Sequence, residues 1–165
     1  MIGFFGGSFD PIHLGHIALA LELLEKNNLN EVIFCPASCS PFKSSAPPRV
    51  SDEHRLAMLT LALDHPQFKL SSIEIDRGGA SYTIDTIRTL NLPSIRLILS
   101  KETATHLSDW KESKALIELA PPLIGSHKLD ISSTEIRDRL KKNLYCSHLL
   151  PASVLNYIHK HQLYR

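Results

Sequence analysis

A chain of 165 residues with 43% hydrophobic content has room for one domain with a substantial core and little left for a second. Its 18 basic and 17 acidic side chains give a formal charge of +1, which excludes a broad electrostatic footprint for nucleic acid or an anionic membrane, so any phosphate affinity must be local. The opening MIGFFGGSFDPIHLGH lacks the basic and long apolar regions of a secretion signal, no run of about 18 apolar residues offers a membrane span, and an odd number of cysteines, Cys35, Cys39 and Cys146, fits a reducing cytoplasm rather than a disulfide framework.

In chain order, the apolar run at residues 2–5 stopped by Gly6 and Gly7 predicts a buried strand. From Leu14 onward Ile17, Ala20, Leu21, Leu23 and Leu24 fall at helical spacing until Asn27 and Asn28 end the run. A second strand is expected over 32–35, followed by a Pro- and Ser-rich surface loop over 36–50 that is expected to be mobile. Ser51 is the expected N-cap of a helix carrying Leu56, Leu59, Ala62 and Leu63, with Pro66 just beyond it. A third strand is expected over 70–75, a turn at 76–79, a helix over 82–90 capped by Ser81, and a strand over 95–99. Residues 120–125 can supply one more short strand, which Pro121 and Pro122 restrict to a sheet edge or its first positions. Alternating strands and helices predict an α/β fold, a Rossmann-like doubly wound parallel sheet with helices on both faces and a ligand crevice at the carboxyl ends of the strands. Residues 1–165 are expected to form a single domain, with C-terminal helices from about 132 onward.

Chemistry concentrates in two strings. Gly6 and Gly7 directly after a strand let backbone amides approach a phosphate, and the helix behind them offers its positive end. His13 and His16 are one helical step apart, so both imidazoles are expected on one face of the first turn, converging on one phosphate chain. A zinc site on this pair is disfavoured, since no neighbouring ligands complete four. Asp10 is expected to stabilise the helix start and could touch a metal-bound water. Near the other end, Ser132 and Glu135 have capping-box spacing, so a helix starts there, and its hydroxyls with Arg137 one turn inside form an equally good phosphate clamp.

The GGSFDPIHLGH and ISSTEIR strings resemble the signatures of the nucleotidyltransferase superfamily. Pro36 with Pro41-Phe42-Lys43, His54-Arg55-Leu56-Ala57-Met58, SYTIDT at 81–86, Trp110-Lys111 and Leu150-Pro151 resemble, over nearly the whole chain, the bacterial nicotinate mononucleotide adenylyltransferases. SYTIDT discriminates most against relatives that use phosphopantetheine or glycerol phosphate. The resemblance implies a nucleotidyltransferase fold and an enzyme of NAD biosynthesis. Its substrates would be Mg-ATP and nicotinate mononucleotide, and its products nicotinate adenine dinucleotide and pyrophosphate. His13, His16 and Arg137 would be catalytic; Gly6, Gly7, Ser8, Phe9, Gly15, Glu102, Ile131, Ser132, Ser133 and Thr134 would join them in binding ATP. Ser8, Lys43, Tyr82, Thr83, Thr86 and Trp110 would bind the mononucleotide, with the indole stacked on the pyridine ring and Thr86 and nearby amides meeting the carboxylate. Lys43 reads equally well as solvated. Magnesium would ride on the ATP phosphates, with no protein cage; a homo-oligomer is an open possibility.

Other residues carry bland readings: Arg55 and Arg88 pair with acids, Cys35 is a small core hydrophobe, and His159 and His161 are solvated. Two departures stand out. Where relatives carry Gly-x-Asp for the nucleotide ribose, this chain has Ser100-Lys101-Glu102, and serine forbids some backbone conformations open to glycine. Only residues 111–130 separate Trp110 from ISSTEIR, a shorter stretch than most relatives have. Competing readings are another acceptor, nicotinamide mononucleotide or phosphopantetheine, and a nucleotide-binding regulator without catalysis.

Overall fold

The computed structural model describes residues 1–39, 47–126 and 129–165; residues 40–46, with Lys43 and the middle of the expected mobile loop, and 127–128 lie outside the described residues. Along the chain run β1 (Ile2–Gly7), α1 (Leu14–Lys26), β2 (Glu31–Pro36), α2 (Asp52–Ala62), β3 (Phe68–Leu70), α3 (Ile73–Arg77), α4 (Thr83–Leu90), β4 (Ile95–Ser100), α5 (Lys101–Thr105), a 3-10 turn (Leu107–Asp109), α6 (Ser113–Leu119), β5 (Pro122–Gly125), α7 (Ser133–Lys141) and α8 (Ala152–Lys160).

The five strands form one sheet in the order β3-β2-β1-β4-β5, parallel throughout, with Gly3 opposite Val32 on one side and Arg96 on the other. The chain winds outward from β1 to β3, then returns to lay β4 against the other flank of β1, so the crevice opens between β1 and β4. Side-chain alternation divides the core between the faces. Phe5, Phe34 and Ile98 pack against α1, α2, α7 and α8. Phe4, Cys35, Leu97 and Leu99 pack against Ile84 and Ile87 of α4 and Leu116 of α6. Each such large apolar side chain contributes about 1.5–3 kcal/mol on burial, so the continuous apolar runs are what doubly covered parallel strands require.

β5 begins at Pro122 and is the edge strand, where a missing N–H costs no ladder bond. It ends at Gly125, where a Cβ would stand 2.0 Å from Leu19 Cδ1, so α1 packs directly onto its backbone.

Two expected boundaries are corrected. The third strand spans only Phe68–Leu70, and residues 73–77 coil into α3. The alternation Ile73-Glu74-Ile75 imitates a strand with the isoleucines inward, but Glu74 is the buried member, satisfied by a polar partner from α4. Ser81 does not cap α4: the N-cap is Tyr82, and the Ser81 hydroxyl instead accepts the Ser38 N–H at 3.0 Å. Ser51 and Ser132 cap α2 and α7 as expected, accepting from His54 and Glu135 N–H.

Candidate active site

β1 delivers Gly6, Gly7 and Ser8 to the carboxyl edge of the sheet, and a cavity opens on each side of them. The α1-side cavity, about 570 Å³, is lined by His13, Gly15, His16, Ile131, Ser132, Ser133, Thr134 and Arg137. The α4-side cavity, about 560 Å³, is lined by Glu74, Ser81, Tyr82, Thr83, Trp110 and Lys111. The two share Gly6, Gly7, Ser8 and Glu102, so they meet over the glycine loop. The strings at 6–16 and 131–137 thus face one space.

His13 and His16 reach that space differently from expectation. His13 is the N-cap of α1 rather than part of its first turn. Its Nδ1 accepts the His16 N–H, His16 Nδ1 accepts the His13 N–H, both at 3.3 Å, and the rings stack with centroids 3.6 Å apart. Since both Nδ1 atoms accept, the hydrogen bonding assigns the neutral rings the tautomer with the proton on Nε2. Each ring therefore carries an Nε2–H donor. Gly15 makes the arrangement possible: a Cβ there would lie 3.1 Å from the His13 ring. Phe9, at φ 46°, packs its ring beneath Gly7 and edge-on to His16, and it lines the α1-side cavity.

Arg137 donates from Nη1 to the Asp10 carbonyl at 2.7 Å and from Nη2 to Thr134 Oγ1 at 3.1 Å. Two of five guanidinium N–H groups are thereby used, and the remainder can serve an anion. Ser133 Oγ donates to the Pro11 carbonyl at 2.9 Å. The Asp10 carboxylate accepts the Arg49 N–H at 2.7 Å and the Tyr164 hydroxyl at 2.8 Å rather than a helix-start N–H. Burial, and then the Asp10 charge, push the Tyr164 phenol up, which keeps it a donor. Arg55, with 0% relative exposure, pairs with Asp52 as expected but also donates to the Ser8 carbonyl at 2.8 Å, fixing the glycine loop from beneath. Sequence reasoning missed these ties because the partners lie far apart in the chain.

On the α4 side, Trp110 lines the cavity and packs against the second core cluster. Lys111 bridges to Asp85 at 2.9 Å and lies 4.6 Å from the Tyr82 ring centroid. The N-cap Tyr82 makes no side-chain cap bond, and among the described residues the N–H groups of Thr83 and Ile84 have no acceptor. Thr86 is corrected: it is fully buried behind the wall, its hydroxyl donating to Glu74 Oε1 at 2.7 Å and accepting from Arg77 at 2.8 Å. Glu74, which sequence reasoning passed over, lines the cavity and is itself 3% exposed. Burial pushes its pKa up against the pull of Thr86, Ser81 and Arg77.

Arg88 forms a two-pronged pair with Glu112, and Cys35 is buried, its thiol pushed up to about 12 by burial and then by Glu74. His161 is exposed as expected, with its ring centroid 4.2 Å from that of Tyr157 and 5.4 Å from that of His54. Ser100 sits at φ −72° as the N-cap of α5, a conformation any residue adopts, so glycine is not required there. Glu102 lines both cavities.

A family model described as cytidylyltransferase-like matches residues 4–139. A Methylacidiphilum infernorum protein named "Probable nicotinate-nucleotide adenylyltransferase" is 36% identical over 187 positions, covering 99% of this chain and 91% of its own. A Roseiflexus protein of the same name is 38% identical over 198 positions, covering 99% and 98%. Both stretches exceed the 165 residues present here, so those relatives carry residues this chain lacks. The fold superposes on a Vibrio parahaemolyticus protein with a TM-score of 0.79 at 18% identity, covering 99% of this chain and 94% of that one. It also superposes on a Plasmodium falciparum nicotinic acid mononucleotide adenylyltransferase, with a TM-score of 0.76 at 20% identity and coverage of 99% and 96%. The chain belongs to the cytidylyltransferase-like family and, within it, to the nicotinate-nucleotide adenylyltransferases.

Proposed function

We infer that this chain transfers the adenylyl group of ATP to nicotinate mononucleotide, giving nicotinate adenine dinucleotide and pyrophosphate in NAD biosynthesis. The observation that carries this reading is the meeting of two cavities over Gly6-Gly7-Ser8. One is rich in phosphate donors and the other carries a tryptophan and open backbone amides, as a reaction joining a triphosphate to a pyridine nucleotide requires. The relatives bear that activity in their name, and the Plasmodium neighbour is complexed with NaAD.

In this reading residues 1–165 work as one domain, and the α1-side cavity holds ATP. The Nε2–H groups of His13 and His16 and the free N–H groups of Arg137 point to where charge develops on the α-phosphate and the departing pyrophosphate. Ser132, Ser133 and Thr134, with the α7 N-terminus, receive outer phosphate oxygens. Ile131 and Gly15 shape the wall, and Glu102 accepts ribose hydroxyls. The mononucleotide occupies the α4 side, its 5′-phosphate beside Ser8, its ring on Trp110 between Tyr82 and Thr83. Lys43 is proposed to reach a phosphate. The open N–H groups of Thr83 and Ile84 stand at a positive helix end, which favours a carboxylate over a carboxamide and so nicotinate over nicotinamide.

The attacking phosphate has a second pKa of about 6 and is already ionised near neutral pH, so no general base is needed. Catalysis reduces to in-line alignment and charge stabilisation. Magnesium is proposed to enter as part of the ATP substrate, since Mg2+ commonly binds through substrate phosphates while keeping several waters. The ion would therefore be held through the phosphates.

The test is pyrophosphate release from Mg-ATP by purified protein offered nicotinate mononucleotide, nicotinamide mononucleotide or phosphopantetheine. Fast release with the nicotinate compound is expected. Release with phosphopantetheine alone, or with none despite ATP binding, overturns the reading.

A further inference from the structure

Glu74 is a buried acid in the wall of the α4-side cavity that the mechanism does not use. Glu74 comes from the short helix α3, yet its bonds go elsewhere: Oε1 accepts the Thr86 hydroxyl at 2.7 Å, and Thr86 in turn accepts Arg77 at 2.8 Å. The Ser81 hydroxyl lies near enough to stabilise the Glu74 charge and also accepts the Ser38 N–H at 3.0 Å, linking the segment after β2 to the start of α4. Ser81 precedes the N-cap Tyr82 and Thr86 stands one turn inside the helix. Glu74 therefore grips α4 on both sides of Tyr82 and Thr83, the residues that line the cavity.

We propose that Glu74 is a positioning residue for the mononucleotide acceptor: through Thr86 and Ser81 it fixes the first turn of α4, against which the pyridine end rests. The proposal builds on the reading that this cavity takes the mononucleotide. A packing role alone is better filled by an apolar side chain, because burying a carboxyl carries a desolvation cost, and burial does push this group's pKa up. A perturbed acid in a cleft with a dedicated hydroxyl partner marks a functional wall. Arg77 provides the partial charge compensation that keeps the acid in place. The α1-side cavity shares none of these contacts, so loss of Glu74 acts on one substrate and spares the other.

The experiment is steady-state kinetics of E74A, E74Q and T86V, with ATP and nicotinate mononucleotide varied in turn. Losing one buried hydrogen bond in the wall is expected to raise the acceptor KM about tenfold in E74A and T86V, equivalent to about 1.4 kcal/mol. The ATP KM stays within about twofold, since ordering of the ATP side is independent. E74Q keeps an oxygen to accept the Thr86 hydroxyl and is expected to return within about threefold of the parent. Should E74A fail to fold, T86V and E74Q carry the same comparison. Equal rises in both KM values, an unchanged acceptor KM in T86V, or an E74Q as impaired as E74A would overturn the proposal. The unsubstituted enzyme's turnover with nicotinate mononucleotide tests the functional reading separately, because the proposal is judged only on ratios to it.

Discussion

Gly15→Ala separates the stability of the α1 start from the geometry of its histidines. Gly15 has an ordinary helical backbone, so alanine is conformationally allowed there, and replacing glycine in a helix gains about 0.5–1 kcal/mol. The added Cβ would lie 3.1 Å from both Cε1 and Nδ1 of His13, and 3.5 Å from Ile131 Cβ. Ordinary carbon contacts sit at about 3.5–4.0 Å, so the His13 ring must retreat by about 0.5 Å. It has nowhere to go without consequence: it is 4% exposed and stacked at 3.6 Å on His16, to which it is joined by both cap hydrogen bonds. The two Nε2–H donors therefore shift together. A misplacement of about 1 Å can cost a factor of about 10² in rate, so half that shift should lower kcat/KM about tenfold. The assay is pyrophosphate release under saturating and limiting ATP, paired with a thermal melt. The expected result is reduced kcat/KM with Tm unchanged or higher; parental kcat/KM, or a loss accompanied by a matching fall in Tm, would refute the reasoning.

His16→Ala removes one donor outright and should lower kcat by a factor of about 10² to 10³ while circular dichroism remains parental; undiminished turnover would remove His16 from the site. Arg137→Lys loses the fork that reaches the Asp10 carbonyl and Thr134 together and should cost about tenfold or more in kcat/KM for ATP, read in the same assay. For Glu74 the folded pKa is raised above 4.5 by burial; the folded state holds the proton more tightly, so its stabilising contribution is complete below that value and is lost as pH rises through the folded pKa. E74Q should therefore gain Tm relative to the parent between pH 4.5 and 8, and a difference that stays constant or shrinks contradicts the assignment. Burial holds the Cys35 thiol up at about 12, so it should resist alkylation at pH 8 until the protein is unfolded, as mass spectrometry of the labelled peptides would reveal.

The elements with one dominant period were legible: β1 and β2 hold short apolar runs, β4 is apolar over 95–99 but for Arg96, and α1, α2 and α7 carry both periodicity and a capping side chain. Where polar side chains face inward, the pattern misled. Glu74 turns a strand-like alternation into α3, and Ser81 spends its hydroxyl on Ser38 rather than on a helix end. The same division holds at the site. His13, His16 and residues of the ISSTEIR string stand in short strings, so type and spacing alone made them candidates, and the fold brings both strings to one cavity. The bonds that hold those strings together span 127 residues from Arg137 to Asp10 and 154 from Tyr164 to Asp10, and no local pattern encodes such pairs. Thr86, expected at the mononucleotide, is buried with its hydroxyl on Glu74, a partner that the spacing of its string could not reveal.

These long-range ties explain how a chain with a formal charge of +1 can be built to handle a triphosphate. On the proposed reading so small a net charge offers little long-range attraction, so affinity rests on aimed local groups: glycine-loop amides, two helix starts, imidazole N–H groups and the Arg137 guanidinium. Dipoles act only over short range and only when aimed, which moves the burden from charge to rigidity. Arg55, an always-charged side chain buried completely, is spent on the Ser8 carbonyl rather than on a ligand. Arg137 commits one fork to the Asp10 carbonyl, and Tyr164, nearly the last residue, pins the Asp10 carboxylate. The glycine loop is thus held by groups from α2, α7 and the C-terminal end at once. It follows that substitutions at Arg55 or Tyr164, neither of which lines a cavity, should lower turnover through the loop they restrain.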